Sequence, residues 1–268
     1  MGKFLLVHPA LSDASLDAYF CSSETAQAPV SNLLLRQPKE VWETTGVAST
    51  IEVRFDLQAS PSYDFIGLLF TNATPSATVT WDGSTVTTFA STVWTSGSIS
   101  LRATGQANYD RVHGYYLTSG TQTAQYVRFR VSDTTNPDGV FRAGRFICGK
   151  AYRPTVNVEY PLGFGFNDEA PTTTTSAGER ITRANEPVPY LTFTMQAWGP
   201  TAQAEFYSNI HEVMRTRGAA KDVLAIIDPE HASLAGPMTY YGTLQQRTQI
   251  QLSHWEFYEA SFELQGLI

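Results

Sequence analysis

The chain has 268 residues, a formal net charge of −7 and a pI near 5.2. An acidic chain lacks the clustered Lys and Arg that a general nucleic-acid binder needs for its phosphate contacts. Charged residues make up only 16% of the chain, and abundant Thr, Ser, Val and Tyr favour strands over helices. No stretch has the length of a membrane span or of a signal-peptide core, so we expect the chain to fold in a cytoplasm.

The first half of the chain carries a series of short strand patterns. Ile51–Leu57 alternates apolar and polar residues, and Phe65–Phe70 is a continuous apolar run suited to the middle of a sandwich. Asp82-Gly83 has the composition of a hairpin turn that follows the strand Ala77–Trp81. Strands at this spacing predict an antiparallel jelly-roll β-sandwich over residues 1–149.

Three oxygen-bearing side chains lie close together late in this region. Asp133, Asn136 and Asp138 could hold Ca²⁺ through side-chain and carbonyl oxygens. A plain Asn-Pro-Asp-Gly turn has the same composition, and we favour that interpretation. No His or Cys has metal-ligand spacing, so we predict neither a metal nor a cofactor.

Cys21 and Cys148 lie near the two ends of the predicted first domain. A disulfide between them is an open alternative, because the ends of a sandwich are often neighbours. We favour two small thiols in a reducing compartment.

The second half begins near residue 150 and contains the only convincing helix pattern. Residues 161–186 hold Gly, Pro and four consecutive Thr, which predicts a long arm without a core, ordered on assembly. Residues 190–198 alternate as a strand, Thr201 is placed to cap a helix over 201–217, and Gly218 ends it. With later strands, residues 150–268 predict a β-sandwich or barrel flanked by one α-helix, so the whole chain is mostly β.

Part of the first half resembles galactose-binding-like (discoidin-type) jelly rolls. The segment from Pro29 through Asn32-Leu33, then Trp42, then the strand that ends in Asp56-Leu57, follows the order seen in that family. The resemblance implies a carbohydrate-module shape, in which a loop aromatic stacks on a sugar. Trp81 and Trp94 are the candidates for that contact, although tryptophans of a core or an interface would follow the same pattern.

The second half looks like tail and baseplate proteins of long-tailed bacteriophages, above all the distal tail protein. The similar features are the strand and helix, Leu224-Ala-Ile-Ile-Asp-Pro229, Tyr240-Tyr-Gly-Thr-Leu244, and Phe257–Leu264. In that group such a domain associates side by side into a ring, and it precedes a carbohydrate-module-like domain. Here the order of the two domains is reversed.

A mixed-charge cluster follows the Thr-rich run. Its members are Glu179, Arg180, Arg183 and Glu186. They can be a solvated loop, or they can pair with acidic and basic groups of a neighbouring subunit in a ring.

No nucleophile elbow, catalytic carboxylate pair or metal motif accompanies these patterns, so we expect no enzyme activity. The resemblance implies a structural virion protein of a bacteriophage tail tip. Such a protein would be a ring-forming adaptor, trimeric or hexameric, that joins the tail tube to hub or fibre proteins after assembly in the host cytoplasm. The alternative is a carbohydrate-binding module that contacts a host glycan.

Overall fold

The structure is a computed structural model of the chain, and it describes residues 4–8, 17–47, 49–58, 60–106, 111–168, 170–176, 178–182, 185–231, 233–245, 249–254 and 257–268. The predicted fold class is confirmed, since the described residues form antiparallel sheets and one interrupted helix. The chain divides into two compact units. The first is Met1–Tyr152 with Ala225–Thr239, and the second is Arg153–Leu224 with Tyr240–Ile268.

The strands of the first unit build two sheets, one in the order β1-β11-β5-β8 and one in the order β2-β4-β9-β6-β7. Their bounds are β1 (Leu5–His8), β2 (Asp17–Cys21), β3 (Trp42–Glu43), β4 (Ile51–Asp56), β5 (Ser62–Thr71), β6 (Thr78–Ser84), β7 (Trp94–Ser100), β8 (Val112–Thr123), β9 (Tyr126–Ser132), β10 (Arg142–Ala143) and β11 (Arg145–Tyr152). A 3₁₀ turn covers Val30–Leu34, and β3 pairs with β10.

The core of the first unit lies between these two sheets. β4 buries every second residue, as its alternation predicts, and the predicted run Phe65–Phe70 lies in β5. The ring of Phe55 in β4 stacks on that of Phe146 in β11, with centroids 4.0 Å apart. Aromatic rings from opposite sheets therefore interdigitate, which is the packing that holds a sandwich together.

The predicted turn at Asp82-Gly83 is wrong. Both residues continue β6 and pair with β9, where Gly83 lies opposite Val127. The chain reverses only afterwards, in the loop of residues 85–93. Pairing with β9, which is distant in sequence, outweighs the local preference of Asp82-Gly83 for a turn.

The segment Ala225–Thr239 belongs to the first unit, although the predicted boundary at 149/150 put it in the second domain. Thr104 Oγ1 donates to His231 O at 3.0 Å, and Gly236 N donates to Thr104 O at 2.9 Å. A Cβ on Gly105 would lie 1.9 Å from Ser233 O, so only glycine permits this approach. These contacts lie far apart in sequence and leave no periodic pattern.

The second unit is a sheet in the order β12-β15-β19-β17, with β18 also paired to β19. The remaining strands of the chain are β12 (Gly163–Asn167), β13 (Thr172–Thr174), β14 (Arg180–Thr182), β15 (Val188–Trp198), β16 (Asp222–Ile226), β17 (Thr239–Leu244), β18 (Gln249–His254) and β19 (Phe257–Gly266). The boundaries between the two units fall within β16 and β17. Phe193 of β15 stacks on Phe262 of β19 in the buried face of this sheet, with centroids 4.9 Å apart.

The predicted helix 201–217 is present as α1 (Pro200–Phe206), a π-helical turn (Tyr207–His211) and α2 (Glu212–Thr216). Thr201 does not cap it. Gly199 is the N-cap, with a φ of 83° and no side-chain cap bond, and Pro200 occupies the first turn, where its missing N–H costs nothing. Gly218, with a φ of 50°, follows the helix as predicted.

Residues 161–186 differ from the structureless arm that the composition predicts. β12 pairs with β15, and β13 forms a small hairpin with β14. Thr residues are good strand formers, and this preference outweighs the low apolar content of the segment.

Candidate functional site

Trp81 cannot contact a sugar, because it is fully buried. It lies in mid-strand in β6, and its ring meets that of Phe129 at a centroid distance of 5.5 Å. Its proposed exposure depended on the turn at Asp82-Gly83, and without that turn the side chain faces the core.

Trp94 is half-buried at the start of β7. Its Nε1 donates to the hydroxyl of Tyr63 at 3.0 Å, and its ring stacks on Tyr116 with centroids 6.3 Å apart. A Cβ on Gly83 would lie 2.1 Å from Trp94 Nε1, so the indole lies directly over that glycine. Most of the ring has protein partners, which leaves little of it for a sugar. The predicted sugar contact at Trp94 stays a prediction.

The cluster of Asp133, Asn136 and Asp138 is a turn that side-chain hydrogen bonds hold in place. Asp133 is buried and accepts hydrogen bonds from Thr74 N at 3.0 Å and from Asn136 Nδ2 at 3.0 Å. Asp138 N donates to Asn136 Oδ1 at 3.1 Å, and Gly139 has the positive φ of 70° that such a turn requires. These side-chain oxygens accept hydrogen bonds within the turn and from Asn72 and Thr74, and no group of three or more acidic, His or Cys side chains among the described residues could hold a metal ion.

The outward face of the sheet β2-β4-β9-β6-β7 carries a network of paired charges. Asp82 is buried and pairs with Arg128 at 2.8 Å and with Arg130 at 3.1 Å. The ring of Phe89, from the loop 85–93, covers the guanidinium of Arg128 at 4.5 Å. Because Asp82 is buried and paired and Arg128 is covered by Phe89, the network ties the loop 85–93 to the sheet.

Desolvation by burial shifts the titratable groups near the sandwich edge. It lowers the pKa of His113 to about 4 and raises the pKa of Tyr115 to about 12. It also raises the pKa of the Cys148 thiol, which makes that thiol unreactive. Cys21 and Cys148 are not joined by a disulfide, as favoured from the sequence.

The four residues predicted for a subunit interface occupy the end of the β13–β14 hairpin and the segment after it. Glu179, Arg180 and Glu186 are exposed, and Arg183 lies outside the described residues. Their role at an interface stays a prediction.

Sequence reasoning missed three strongly exposed aromatic residues of the second unit. Trp198 is 75% exposed, Phe166 73% and Phe164 58%. They fall into two surfaces of different chemistry, which we name the β12 edge and the Trp198 strip.

The β12 edge consists of Phe164 and Phe166 on the outermost strand of the second unit's sheet. Phe164 lies opposite Leu191, which is fully buried, so both phenylalanines point to the apolar side of the sheet but extend beyond its covered part. The intervening Gly165 leaves room for the ring of Tyr190 on the other side. The alternation Gly-Phe-Gly-Phe was the available signal, and it is that of a strand with one apolar face.

The Trp198 strip runs along the opposite, polar face of the same sheet. Trp198 lies opposite Phe257, and the two rings meet edge to face at 5.9 Å. Next along the strands comes Gln196, opposite Glu259, with its Nε2 donating to Glu159 Oε2 at 2.6 Å. The strip therefore combines one exposed indole with a row of hydrogen-bonding groups.

No protein-family model matches the chain, and neither does any curated protein. Solved structures that resemble it include CBM32-1 from a family 31 glycoside hydrolase of Clostridium perfringens. The two sequences are 9% identical, the match covers 52% of this chain and 96% of that chain, and the TM-score is 0.38. Chitosan-binding module 1 from a chitosanase/glucanase of Paenibacillus sp. IK-5 has 17% identity, 52% and 96% coverage, and a TM-score of 0.40. The C-terminal domain of a chitobiase from Bacteroides fragilis has 15% identity, 53% and 98% coverage, and a TM-score of 0.39.

Identities and TM-scores this low transfer no function. No helix among the described residues has the length and apolar character needed to span a membrane.

Proposed function

We propose that this chain is a non-catalytic structural protein that assembles side by side with copies of itself through its second unit. The observation that carries the proposal is the β12 edge, where an outermost strand presents two strongly exposed phenylalanines. An exposed apolar strand edge is a template for pairing with another chain, and proteins that do not use such an edge usually protect it.

A second free strand edge in the same sheet supports the proposal. β18 pairs with β19 and with no other described strand, and its Leu252 is 58% exposed. The two edges differ in sequence, so pairing β12 of one copy with β18 of the next would be heterologous. Heterologous contacts close into rings when the rotation allows it.

A ring of this kind fits the tail-tip adaptor that the second half resembles. In that role the protein would be a virion protein that joins the tail tube to hub or fibre proteins, with the jelly roll as an attachment surface. The exposed Glu179, Arg180 and Glu186 would lie in the same unit as the pairing edges and could add ion pairs between subunits.

The test is the mass of the purified chain by light scattering over a concentration series, together with electron micrographs of the same sample. We expect closed rings of three or six copies. A monomer at every concentration, with no rings in the micrographs, would contradict self-assembly.

A second candidate function is recognition of a host glycan. Burial of Trp81 removes one of the two contacts predicted for the jelly roll. The observation that favours glycan recognition lies in the second unit, at the Trp198 strip.

A further inference from the structure

The Trp198 strip has a composition that differs from the β12 edge in the same unit. Among the described tryptophans, Trp198 is the most exposed, at 75%. It is the last residue of β15, and the chain turns away immediately at Gly199 with a φ of 83°. The indole therefore lies at the end of the sheet, and the residues that follow β15 do not cover it.

The neighbours of Trp198 along the strip are polar. After Phe257 come Gln196 and Glu259, and then a pair formed by Thr194 and Ser261, whose hydroxyls are 3.1 Å apart. The core of a protein–protein interface is depleted in charged residues and enriched in apolar ones. The β12 edge meets that description, whereas the Trp198 strip does not.

An aromatic face beside a row of hydroxyl, amide and carboxylate groups suits a sugar chain. Sugar C–H surfaces pack on an aromatic ring, and sugar hydroxyls both donate and accept hydrogen bonds. The strip from Trp198 to Thr194 extends about 13 Å, which is room for roughly two or three sugar rings.

Charge narrows the class of glycan. Glu159 and Glu259 place two carboxylates at Gln196, the next position along the strip from the indole. Like charges would repel a glycan built of uronic acids, whereas a neutral sugar can donate hydroxyls to these oxygens and an amino sugar gains an ion pair.

We propose that Trp198 and the polar strip beside it form a glycan-binding platform for neutral or amine-bearing oligosaccharides. Trp198 would supply the stacking face, and Gln196, Glu159 and Glu259 would bind hydroxyl or amino groups. This inference rests on the second candidate function and not on ring assembly, so either can fail without the other.

The test is titration calorimetry of the whole chain with three hexasaccharides. The probes are an N-acetylglucosamine hexamer, its de-acetylated glucosamine counterpart and a galacturonic acid hexamer. We expect the first two to bind at least about tenfold more tightly than the third. Absence of heat for both the neutral and the amine probe at millimolar concentration would overturn the proposal.

Variants locate the site. Trp198→Ala should weaken binding by at least about tenfold, and Trp198→Tyr, which keeps an aromatic face, should restore most of the affinity. Glu259→Gln should weaken the amine probe more than the neutral one. Tyr207→Ala, which removes an exposed aromatic ring from the helix, is the matched control and should bind like the wild type.

The variants also separate a glycan site from a protein contact. If Trp198→Ala binds both probes unchanged, the strip is not the platform. If Trp198→Ala instead lowers the mass of the assembled protein and Phe166→Ala does not, the strip is a subunit contact and the proposal is wrong.

Discussion

The two units differ in how much of their aromatic surface they leave exposed. In the first unit Trp42, Trp81 and Phe129 are fully buried, and in the second Phe166 and Trp198 are about three-quarters exposed. A unit that buries its largest side chains is complete by itself, because its hydrophobic stabilisation comes from within. A unit that leaves them in water has surfaces shaped for a second molecule. In our proposal, recognition and assembly therefore belong to the second unit, and the first unit is the self-contained scaffold.

The largest expected effect comes from the same substitution made once in each unit. Trp81→Ala should destabilise the first unit by about 3–5 kcal/mol, since it opens a cavity in the core. Trp198→Ala should change stability by no more than about 0.5 kcal/mol, because the ring is mostly in water already. Denaturant unfolding followed by circular dichroism measures both. Equal losses in the two variants would contradict the contrast between the units.

A smaller effect tests whether Trp94 is part of the scaffold. Gly83→Ala should cost about 1–3 kcal/mol, because the new Cβ would displace the indole from Tyr63 and Tyr116. Gly120→Ala is the matched control, since a Cβ there meets nothing within 4 Å. Thermal unfolding should separate the two. If Gly83→Ala is as stable as Gly120→Ala, the indole is free to move and remains available to a ligand.

The smallest effect on stability is a dependence on pH that belongs to the first unit. Burial lowers the pKa of His113 to about 4, while an unfolded chain has an ordinary His pKa near 6.5. As pH falls from about 6.5 to about 4, His113 therefore becomes protonated in the unfolded state while it stays neutral in the folded state. The free energy of unfolding falls by about 1–2 kcal/mol by pH 5.

The variant His113→Asn isolates this dependence. Asn keeps an acceptor where His113 Nδ1 accepts from Phe70 N at 3.3 Å, but it does not titrate. The unfolding free energy of the wild type should therefore fall relative to that of the variant as pH drops from about 7 to about 5. A difference between the two that stays constant over this window would show that His113 titrates normally in the folded state.

The sequence predicted those features that depend on near neighbours. The alternation of Ile51–Leu57 and the apolar run Phe65–Phe70 gave two correct strands, and the spacing of Phe206 and Ile210 gave the helix. Each of these patterns reports which side of a local element is buried, and the burial of apolar surface is the main force that drives folding.

Features that depend on residues distant in sequence could not be predicted from the local sequence pattern. Asp82-Gly83 has turn composition, yet pairing with β9 and the packing of Trp94 over Gly83 keep it in a strand. The membership of Ala225–Thr239 in the first unit depends on hydrogen bonds to Thr104, more than a hundred residues earlier. Exposure of Phe166 likewise follows from which strand ends the sheet, and only the topology decides that.

The central claim is that the β12 edge of the second unit binds another copy of the chain. The most direct measurement is the mass in solution of a double variant, Phe164→Ser with Phe166→Ser, beside Tyr207→Ser, an exposed aromatic of the helix that serves as control. We predict that the double variant is monomeric where the wild type and Tyr207→Ser form rings, with all three equally folded by circular dichroism. Rings that persist unchanged in the double variant would contradict the account.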